Sequence, residues 1–482
     1  MMDVRPVGYV IGLLVAVLGA AMLLPLIVDL AEGRGHWYVF AECILITSVV
    51  GGCLALSCAN SVQDKLTLQQ TFLITTGVWV ALPIFGALPF WLGATEARYV
   101  DAFFEAMSGL TTTGSTVLSN LDTLPKGLLL WRGLLQWLGG IGIIVVAMVF
   151  LPELRVGGMQ IFKTEGFDTF GKILPRATEI ASRISVIYLA LTLVCAFGYL
   201  GAGMDAFDAT IHAMTTVATG GFANYDASFA AFSPTASYVA SVFMVLAALP
   251  FVRFVQLSAG TAAPLLKDTQ IRAFLVAAAV VVALVTVGNM LREGVVSEAA
   301  FRTALFNSVS LMTGTGFANA DYMAWGGFAV AVLFFTGLIG GCAGSTSCSI
   351  KVFRYQLLFA SIRAQLQKTR SPHGIFVPRY AGRTVGEDVL NSVMSFFVFF
   401  LVTLGVVAVA LAMTGLDLVT SISGAAAALA NIGPGFGDMI GPTGNFAGLG
   451  DTAKWILAAA MLIGRLELMA VFVIFTVGFW RA

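Results

Sequence analysis

Long apolar segments alternate with short polar ones along the whole chain. Each of ten apolar segments is long enough to cross the hydrocarbon core of a bilayer, which takes about 20 predominantly apolar residues in a helix. The pattern therefore predicts an all-α integral membrane protein with ten transmembrane helices. The predicted spans lie at about 7–30, 37–58, 68–92, 127–151, 184–203, 235–260, 271–291, 323–355, 389–414 and 453–480.

Four further segments are too short or too polar to cross a membrane, and each ends in a glycine-containing stretch. Non-helical backbone at membrane depth is tolerated only where it is buried in protein or lines a watery path. We therefore expect four pore helices, each followed by a loop that enters the membrane and returns beside one central pore. The helices are predicted at 101–112, 205–218, 298–313 and 417–430, and their loops at 111–115, 218–222, 313–317 and 431–437.

The sequence also repeats internally. Asp101-Ala102-Phe103 recurs as Asp205-Ala206-Phe207, and the letters of 221–224 recur at 316–319. Such self-similarity at a regular layout indicates structural repeats, here of helix, pore helix, filter loop and helix. The predicted units are an N-terminal two-helix extension at 1–60 and four pore repeats at 68–151, 184–260, 271–355 (with a gating loop) and 389–480.

Residues of N-cap type stand near the start of all four predicted pore helices. Such side chains satisfy free backbone N–H groups, and an acid there also favours the positive end of the helix dipole. Each helix would then point its negative C-terminal end at the loop that follows, which attracts cations. The predicted caps are Asp101, Asp205, Ser297 and Asp417.

Composition and charge agree with a protein surrounded by membrane lipid. Hydrophobic residues make up 58% of the chain and charged residues 11%, with zero formal net charge, so nothing indicates nucleic-acid binding. With a cytoplasmic N-terminus, eighteen Lys and Arg residues fall inside and seven outside, which matches the positive-inside rule and brings the four loops in from the outer side. The six cysteines are interpreted as small buried residues, and no enzyme motif is present.

Four loops around one axis can replace the hydration shell of a cation with backbone carbonyls. Glycine and threonine suit this task because little side-chain bulk stands in the way. Aligned by the residues that follow, the filter glycines are predicted to be Gly114, Gly221, Gly316 and Gly435, the alternative being a one-residue slip in the second and fourth loops. The full predicted metal-ion site is Thr112, Thr113, Gly114, Thr219, Gly220, Gly221, Gly314, Thr315, Gly316, Ile432, Gly433, Pro434 and Gly435.

An acid follows each predicted filter loop. At the outer mouth these carboxylates would raise the local cation concentration, although they can equally serve only to solubilise the turns. They are Asp122, Asp226, Asp321 and Asp438.

Ten small residues at 340–349 interrupt the predicted span 323–355. They predict a flexible loop that obstructs the pore below the filter, the alternative being close packing between membrane helices. Arg465 lies within the last span, where a charge needs a cavity or a partner, and we expect it to bond the loop at Ser345 or Thr346 and to act as a positive barrier. The predicted gate residues are Gly340, Gly341, Gly344, Ser345, Thr346 and Arg465.

The four loops, the run 340–346 and Gly464-Arg465-Leu466-Glu467 together resemble the TrkH/KtrB superfamily of potassium transporters over essentially the whole chain. The two extra N-terminal spans and the fourth loop are more similar to the TrkH branch. The resemblance implies a homodimer with one potassium pathway per subunit, controlled by a cytosolic TrkA-like nucleotide-binding ring. Glycine at 114 implies potassium, because relatives with serine there tend to favour sodium. Residues 347–349 depart from the family, which often has more glycine there.

The expected function is potassium uptake across a bacterial inner membrane, in the manner of a channel and without enzymatic activity. The first alternative is a carrier that couples potassium to protons or sodium, that is, symport. Carriers of this kind use acids inside spans, and few candidates exist beyond Glu42, Glu105 and Glu467. A membrane scaffold or receptor without transport is the remaining class.

Overall fold

The structure, a computed structural model, describes residues 3–33, 35–61, 66–146, 158–159 and 177–481 of the 482-residue chain. Its first half contains α1 (Arg5–Ala21), α2 (Leu23–Glu32), α3 (Trp37–Cys58), α4 (Leu68–Gly86), α5 (Leu88–Leu92), α6 (Tyr99–Leu110), α7 (Lys126–Val145), α8 (Ala177–Gly201), α9 (Ala206–Val217), α10 (Pro234–Ala247) and α11 (Phe251–Ser258). The second half contains α12 (Ala263–Lys267), α13 (Thr269–Glu293), α14 (Glu298–Thr313), α15 (Gly327–Gly337), α16 (Val352–Arg370), β1 (Arg379–Tyr380), β2 (Arg383–Thr384), α17 (Glu387–Ala412), α18 (Leu418–Ala430), α19 (Asp451–Arg465), α20 (Met469–Phe472) and α21 (Val477–Arg481).

Seven helices among the described residues are long and apolar enough to cross a membrane, or up to nine if two bent pairs each count as one span. The predicted spans 235–260 and 453–480 are the bent ones: α10 and α11 meet at 90°, and α19 meets the short helical segment after it at 105°. The end of the predicted span 127–151 lies outside the described residues. The chain is thus a multi-pass, all-α membrane protein, apart from the antiparallel pair β1 and β2.

The predicted span 323–355 is not one continuous helix. Helix α15 has 11 residues, which at 1.5 Å per residue gives only about 16 Å, and the backbone stays non-helical from 338 to 351 before α16 begins. A bridge between Ile339 and Ile350 closes this segment at its base, where the Gly340 N–H donates to the Ile350 carbonyl at 2.9 Å. We call residues 338–351 the gate loop. The helix is interrupted at the run of small residues, as the sequence predicts.

The four short helices α6, α9, α14 and α18 begin and end within two residues of the predicted bounds. Asp205, Ser297 and Asp417 cap three of them, each accepting from the backbone N–H three residues on, at 2.8, 3.1 and 3.1 Å. The prediction for Asp101 is wrong, because α6 begins earlier, with Arg98 at the cap position. Asp101 lies in the first turn instead, where its carboxylate accepts from Arg98 Nε at 3.1 Å.

The N-terminal helices pack tightly on one another and on the rest of the protein. A Cβ atom added to Gly12 of α1 would lie 2.6 Å from the Ala55 backbone nitrogen of α3, so only glycine permits this approach. The buried Asp29 of α2 joins this pair to α7, since its carboxylate accepts from the Gly127 N–H at 2.6 Å and lies 2.7 Å from His36 Nδ1. The N-terminal helices are therefore bonded to α7, the helix that follows the first glycine-containing loop.

All six cysteines are free thiols. Cys43, Cys195, Cys342 and Cys348 are buried, as predicted for small packing residues. Cys53 is exposed, and Cys58 at the end of α3 is half-buried beside Gly8 of α1, so the prediction of burial is wrong for these two.

Candidate functional site

The four glycine-containing loops meet in a closed ring. A Cβ atom built on one glycine of each loop would fall 1.8–2.9 Å from the backbone of the next loop, so the loops are in direct backbone contact. We call residues 112–114, 219–221, 314–316 and 431–433 the loop ring. Its four approaches are Gly114 to the Gly220 oxygen (2.1 Å), Gly221 to the Thr315 oxygen (1.8 Å), Gly316 to the Gly433 nitrogen (2.8 Å) and Gly433 to the Gly114 oxygen (2.9 Å).

Backbone dihedrals set the register of the four loops. One or two residues after each helix end, a residue in every loop is left-handed, with φ of 51°, 49°, 78° and 51° at Thr112, Thr219, Gly314 and Asn431. Two residues further on stand the glycines that contact the neighbouring loops. In the fourth loop that residue is Gly433.

The geometry therefore favours Gly433 over the predicted Gly435 as the fourth filter glycine. A Cβ atom on Gly435 would meet the side chain of Ile440 at 2.4 Å, and not another loop of the ring. The sequence alignment relied on the phenylalanine that follows each of the last three loops. Pro434 and Gly435 place two extra residues before Phe436, and this shifts the fourth loop by two positions.

Side chains behind the ring hold its backbone. Gln136 of α7 donates from Nε2 to the Gly220 carbonyl at 2.6 Å and accepts from the Phe222 N–H at 3.0 Å. The Ser115 hydroxyl donates to the Gly433 carbonyl at 2.7 Å, which links the first loop to the fourth. Each of these carbonyls keeps a second lone pair. The scaffold thus fixes the orientation of the peptide groups that the sequence assigns to the filter.

Threonine and asparagine side chains complete this support. The hydroxyls of Thr111 and Thr113 lie 2.7 Å apart, and those of Thr313 and Thr315 lie 2.8 Å apart. Asn431 Nδ2 donates to Thr113 Oγ1 at 3.0 Å, again joining the fourth loop to the first. All of these residues are buried, so the hydroxyls are bonded within the scaffold.

A cavity of about 480 Å³ opens on one side of the ring. We call it the vestibule; it is lined by Gly114, Gly221, Gly316 and Gly433, one from each loop. Of the four predicted mouth acids, Asp226 lines it. Within the described residues, Asp122, Asp321 and Asp438 do not line this cavity.

Several polar groups near the vestibule are already engaged. Asp226 accepts from the Asn120 and Leu121 N–H groups at 2.9 and 3.2 Å. Tyr225, also in its lining, donates to the Asp208 carboxylate at 2.8 Å, and this bond is the main reason why the pKa of its phenol is raised to about 12. The phenol therefore stays neutral in the vestibule at ordinary pH.

An ion pair between Glu105 and Arg132 borders the vestibule and was missed as a site from the sequence. Arg132 Nε donates to Glu105 Oε1 at 2.8 Å, and both side chains are almost fully buried. The available signal was one acid in a pore helix and one arginine early in the following span. Their separation of 27 positions on two helices gave no reason to pair them.

The gate loop touches the ring on the residues that precede the vestibule glycines. Cys348 Sγ lies 3.6 Å from Thr112 Oγ1, and its backbone nitrogen would be 3.5 Å from a Cβ atom on Gly314. Neither Thr112 nor Gly314 lines the vestibule. The loop therefore lies against the ring away from the vestibule.

Neighbouring helices hold the gate loop by hydrogen bonds. At the bend between α10 and α11, the Phe251 N–H donates to the Gly344 carbonyl at 2.9 Å and Thr346 Oγ1 donates to the Ala247 carbonyl at 3.0 Å. From α13, Gln270 Oε1 accepts from the Ala343 N–H at 3.0 Å. The bend in the sixth predicted span thus supplies backbone partners that a straight helix would lack.

Arg465 is the last residue of α19 and lies 4% exposed against the gate loop. Its Nη1 is 3.5 Å from the Thr346 carbonyl oxygen and also contacts Cys348 Sγ, while Nη2 is 3.4 Å from the Gly139 carbonyl. Thr346 is thus one of the two expected partners. The Ser345 hydroxyl donates instead to the Cys342 carbonyl at 2.6 Å.

Helices of membrane-crossing length around a closed ring of re-entrant loops define an all-α transport protein of the membrane. The chain belongs to the TrkH family, described as a cation transport protein, whose sequence profile matches residues 36–479. This confirms the resemblance found in the sequence. Because the family consists of transporters, the protein is not an enzyme.

Two curated relatives and one solved structure match along all or nearly all of their length. The chain is 41% identical to the Trk system potassium uptake protein TrkI of Halomonas elongata over 99% of this chain and 97% of that protein. It is 36% identical to the Trk system potassium uptake protein TrkH of Escherichia coli K12, covering 100% of both. The crystal structure of the potassium transporter TrkH from Vibrio parahaemolyticus matches with a TM-score of 0.90 at 34% identity over 100% of both chains.

Proposed function

We propose that the protein takes up potassium across a bacterial inner membrane through the loop ring. The main support for this proposal is that the ring is closed: each of the four loops contacts the next, and the fourth contacts the first. A ring of backbone carbonyls replaces the water around a cation and discriminates between ions by its spacing and field. The relatives named as potassium uptake proteins support potassium as the ion.

The ends of the four short helices favour a cation at the ring. Each of them ends immediately before a loop, so its unsatisfied carbonyls and the negative end of its dipole lie beside the ring. In this proposal the N-terminus is cytoplasmic, and the vestibule faces the outside and collects the ion. The gate loop lies on the cytoplasmic side of the ring.

The gate loop and Arg465 would close the pathway below the ring. Cys348 lies next to Thr112, so the loop obstructs the exit that an ion leaving the ring needs. Arg465 places a buried positive charge at the same level, which raises the barrier for a cation. Opening requires the loop to leave this position, and the small residues of 340–349 give its backbone the freedom to do so.

The proposed assembly is a homodimer with a cytosolic TrkA-like regulatory ring. The basic segment from Lys351 to Arg383 is where such a partner would dock, although positive-inside bias alone also explains its charge. This segment is only partly on the surface, because Lys351 and Arg354 are buried. Arg363, Lys368 and Arg370 on the later turns of α16 are exposed. These turns are the part of the segment that a partner can reach.

Carboxylates inside the fold favour a channel over ion-coupled symport. Glu105 is paired with Arg132, and Glu467 is paired with the buried Arg354. Glu42 is exposed on the outer surface of α3. A carrier that moves a coupling ion needs a site that changes occupancy, whereas these two buried acids already hold fixed countercharges.

Rubidium uptake into proteoliposomes that contain the purified protein tests the proposal. Uptake driven by a potassium gradient alone, without a proton or sodium gradient, is expected. An absolute need for a proton or sodium gradient would establish the carrier instead. Gly114→Val, which adds bulk at a left-handed position with φ of 86°, should abolish uptake, and unchanged potassium-dependent growth with this variant would overturn the proposal.

A further inference from the structure

One position on the pore helices supports the same point of three of the four loops. Counted seven residues before the left-handed residue of each loop, this position is Glu105, His212, Asn307 and Gly424. In the first three it bonds the residue that stands three places after the ring glycine. The contacts are Glu105 Oε2 from the Val117 N–H (2.9 Å), His212 Nε2 from the Asn224 N–H (3.4 Å) and Asn307 Nδ2 to Asn319 Oδ1 (2.7 Å).

This position carries a carboxylate in the first pore helix alone, and there the carboxylate attracts Arg132. The guanidinium binds Glu105 through Nε and reaches the second loop through Nη1, which donates to the Ala223 carbonyl at 2.6 Å. Nη2 lies 3.3 Å from Thr116 Oγ1 on the first loop. One ion pair thus connects the segments that leave the first and second loops.

The guanidinium of Arg132 also packs against an aromatic ring. Arg132 Cζ lies 4.2 Å from the centre of the Phe222 ring, a cation–π distance, and Phe222 directly follows the ring glycine Gly221. The same arginine lines the vestibule together with Gly114 and Gly221. Any shift of the ion pair therefore moves the backbone that borders the ion path.

Charge gives the pair a second effect. A buried guanidinium beside a cation pathway repels the incoming ion, and it is screened little by salt because it is 1% exposed. Glu105, which is 0% exposed, neutralises it at 2.8 Å. The third and fourth loops are supported by neutral groups at this level, such as the Ser310 hydroxyl on the Phe317 carbonyl at 2.7 Å.

We infer that Glu105 and Arg132 are positioning residues that determine ion selectivity: they hold the first and second loops at a fixed separation, and Glu105 cancels the positive charge that Arg132 would otherwise present to the vestibule. The inference rests on the proposed function. It assigns two separable effects to one pair, a positional effect on discrimination between potassium and sodium and an electrostatic effect on the concentration of potassium needed for transport.

The experiment measures rubidium uptake with purified protein in proteoliposomes, recording KM, maximal rate per folded protein and inhibition by sodium. Glu105→Gln keeps the shape and the acceptor for Val117 but leaves Arg132 unneutralised. We expect its KM to rise about tenfold, because a cleft charge changes local cation concentration by that order, and the rise should be larger at low ionic strength. The matched control is Glu32→Gln, which removes the acid of the Lys126 pair at the start of the same helix α7, outside the vestibule lining.

A neutral double variant separates the two effects. Glu105→Gln with Arg132→Gln removes both charges, so KM should return to within about twofold of the parent while potassium loses its advantage over sodium by about tenfold. This variant also leaves no unpaired buried charge, so it serves if the single variant does not fold. If both variants show parental KM and selectivity, the inference is overturned, whereas a parent protein that takes up no rubidium would refute the proposed function itself.

Discussion

The guanidinium of Arg465 lies 3.5 Å from the carbonyl oxygen of Thr346, so the end of α19 is bonded to the gate loop where that loop passes the ring. The same guanidinium contacts Cys348 and the Gly139 carbonyl of α7. One side chain therefore ties three segments together at the level where the pathway would be closed.

Replacing Arg465 with alanine should increase ion flux. A hydrogen bond to a charged group contributes about 1.5–3 kcal/mol, so loss of the Thr346 contact should shift the closed–open equilibrium by about tenfold or more toward open. Rubidium uptake without a cytosolic partner is the measurement. Arg465→Lys is the control, since it keeps the charge and should raise flux less. Unchanged flux and voltage dependence in Arg465→Ala would remove Arg465 from the gate.

Gly433 and Gly435 should behave differently when each is changed to alanine. A Cβ atom on Gly433 would lie 2.9 Å from the Gly114 oxygen, within the ring, and such overpacking costs about 1–3 kcal/mol. We expect Gly433→Ala to lose selectivity for potassium over sodium. In Gly435→Ala the added atom meets Ile440, so stability should fall while selectivity per folded protein is retained. The reverse result would return the fourth filter position to Gly435.

Gln136→Leu should weaken the second loop. It leaves the Gly220 carbonyl and the Phe222 N–H without their partner, at about 1–3 kcal/mol for each unsatisfied buried group. We expect a lower unfolding temperature together with a sodium leak. Trp137→Phe is the matched control, because it removes a hydrogen bond of 3.1 Å between the same helix and Thr192, away from the ring. A sodium leak of equal size in the control would show that helix α7, and not the loop contact, is responsible.

Gly127→Ala should loosen the N-terminal extension. The new Cβ atom would lie 2.5 Å from the carboxylate of Asp29, and relief of that overlap should cost about 1–3 kcal/mol of unfolding free energy. Thermal unfolding in detergent measures this. Gly405→Ala of α17 has no atom within 4 Å of the added group and should stabilise the protein by about 0.4–1 kcal/mol. Equal effects of the two changes would contradict the role given to Asp29.

The sequence predicts the pore helices well because local signals mark both of their ends. Asp205, Ser297 and Asp417 bond the first turn, and a residue in the left-handed region follows each helix within two positions. Asp101 is also a cap-type residue, but it lies three residues after the actual cap position, Arg98, because α6 begins at Tyr99. No local sequence signal marks this earlier start.

The bends and the buried ion pairs could not be predicted in this way. Hydropathy is the same whether an apolar segment is straight or turns by 90°, so the bend after Ala247 leaves no trace in it. The pairing of Glu105 with Arg132 depends on how α6 and α7 pack, and the pairing of Arg354 with Glu467 spans 113 positions. Three-dimensional packing, and not periodicity, brings these charges together.

All four quarters of the ring belong to a single polypeptide, and the residues behind them differ: a carboxylate, an imidazole, an amide and no side chain at all. Evolution can therefore tune one quarter without touching the other three, which a tetramer of identical subunits cannot do. A single codon change alters one position per pore, so the ion preference of such a protein can change gradually, one substitution at a time.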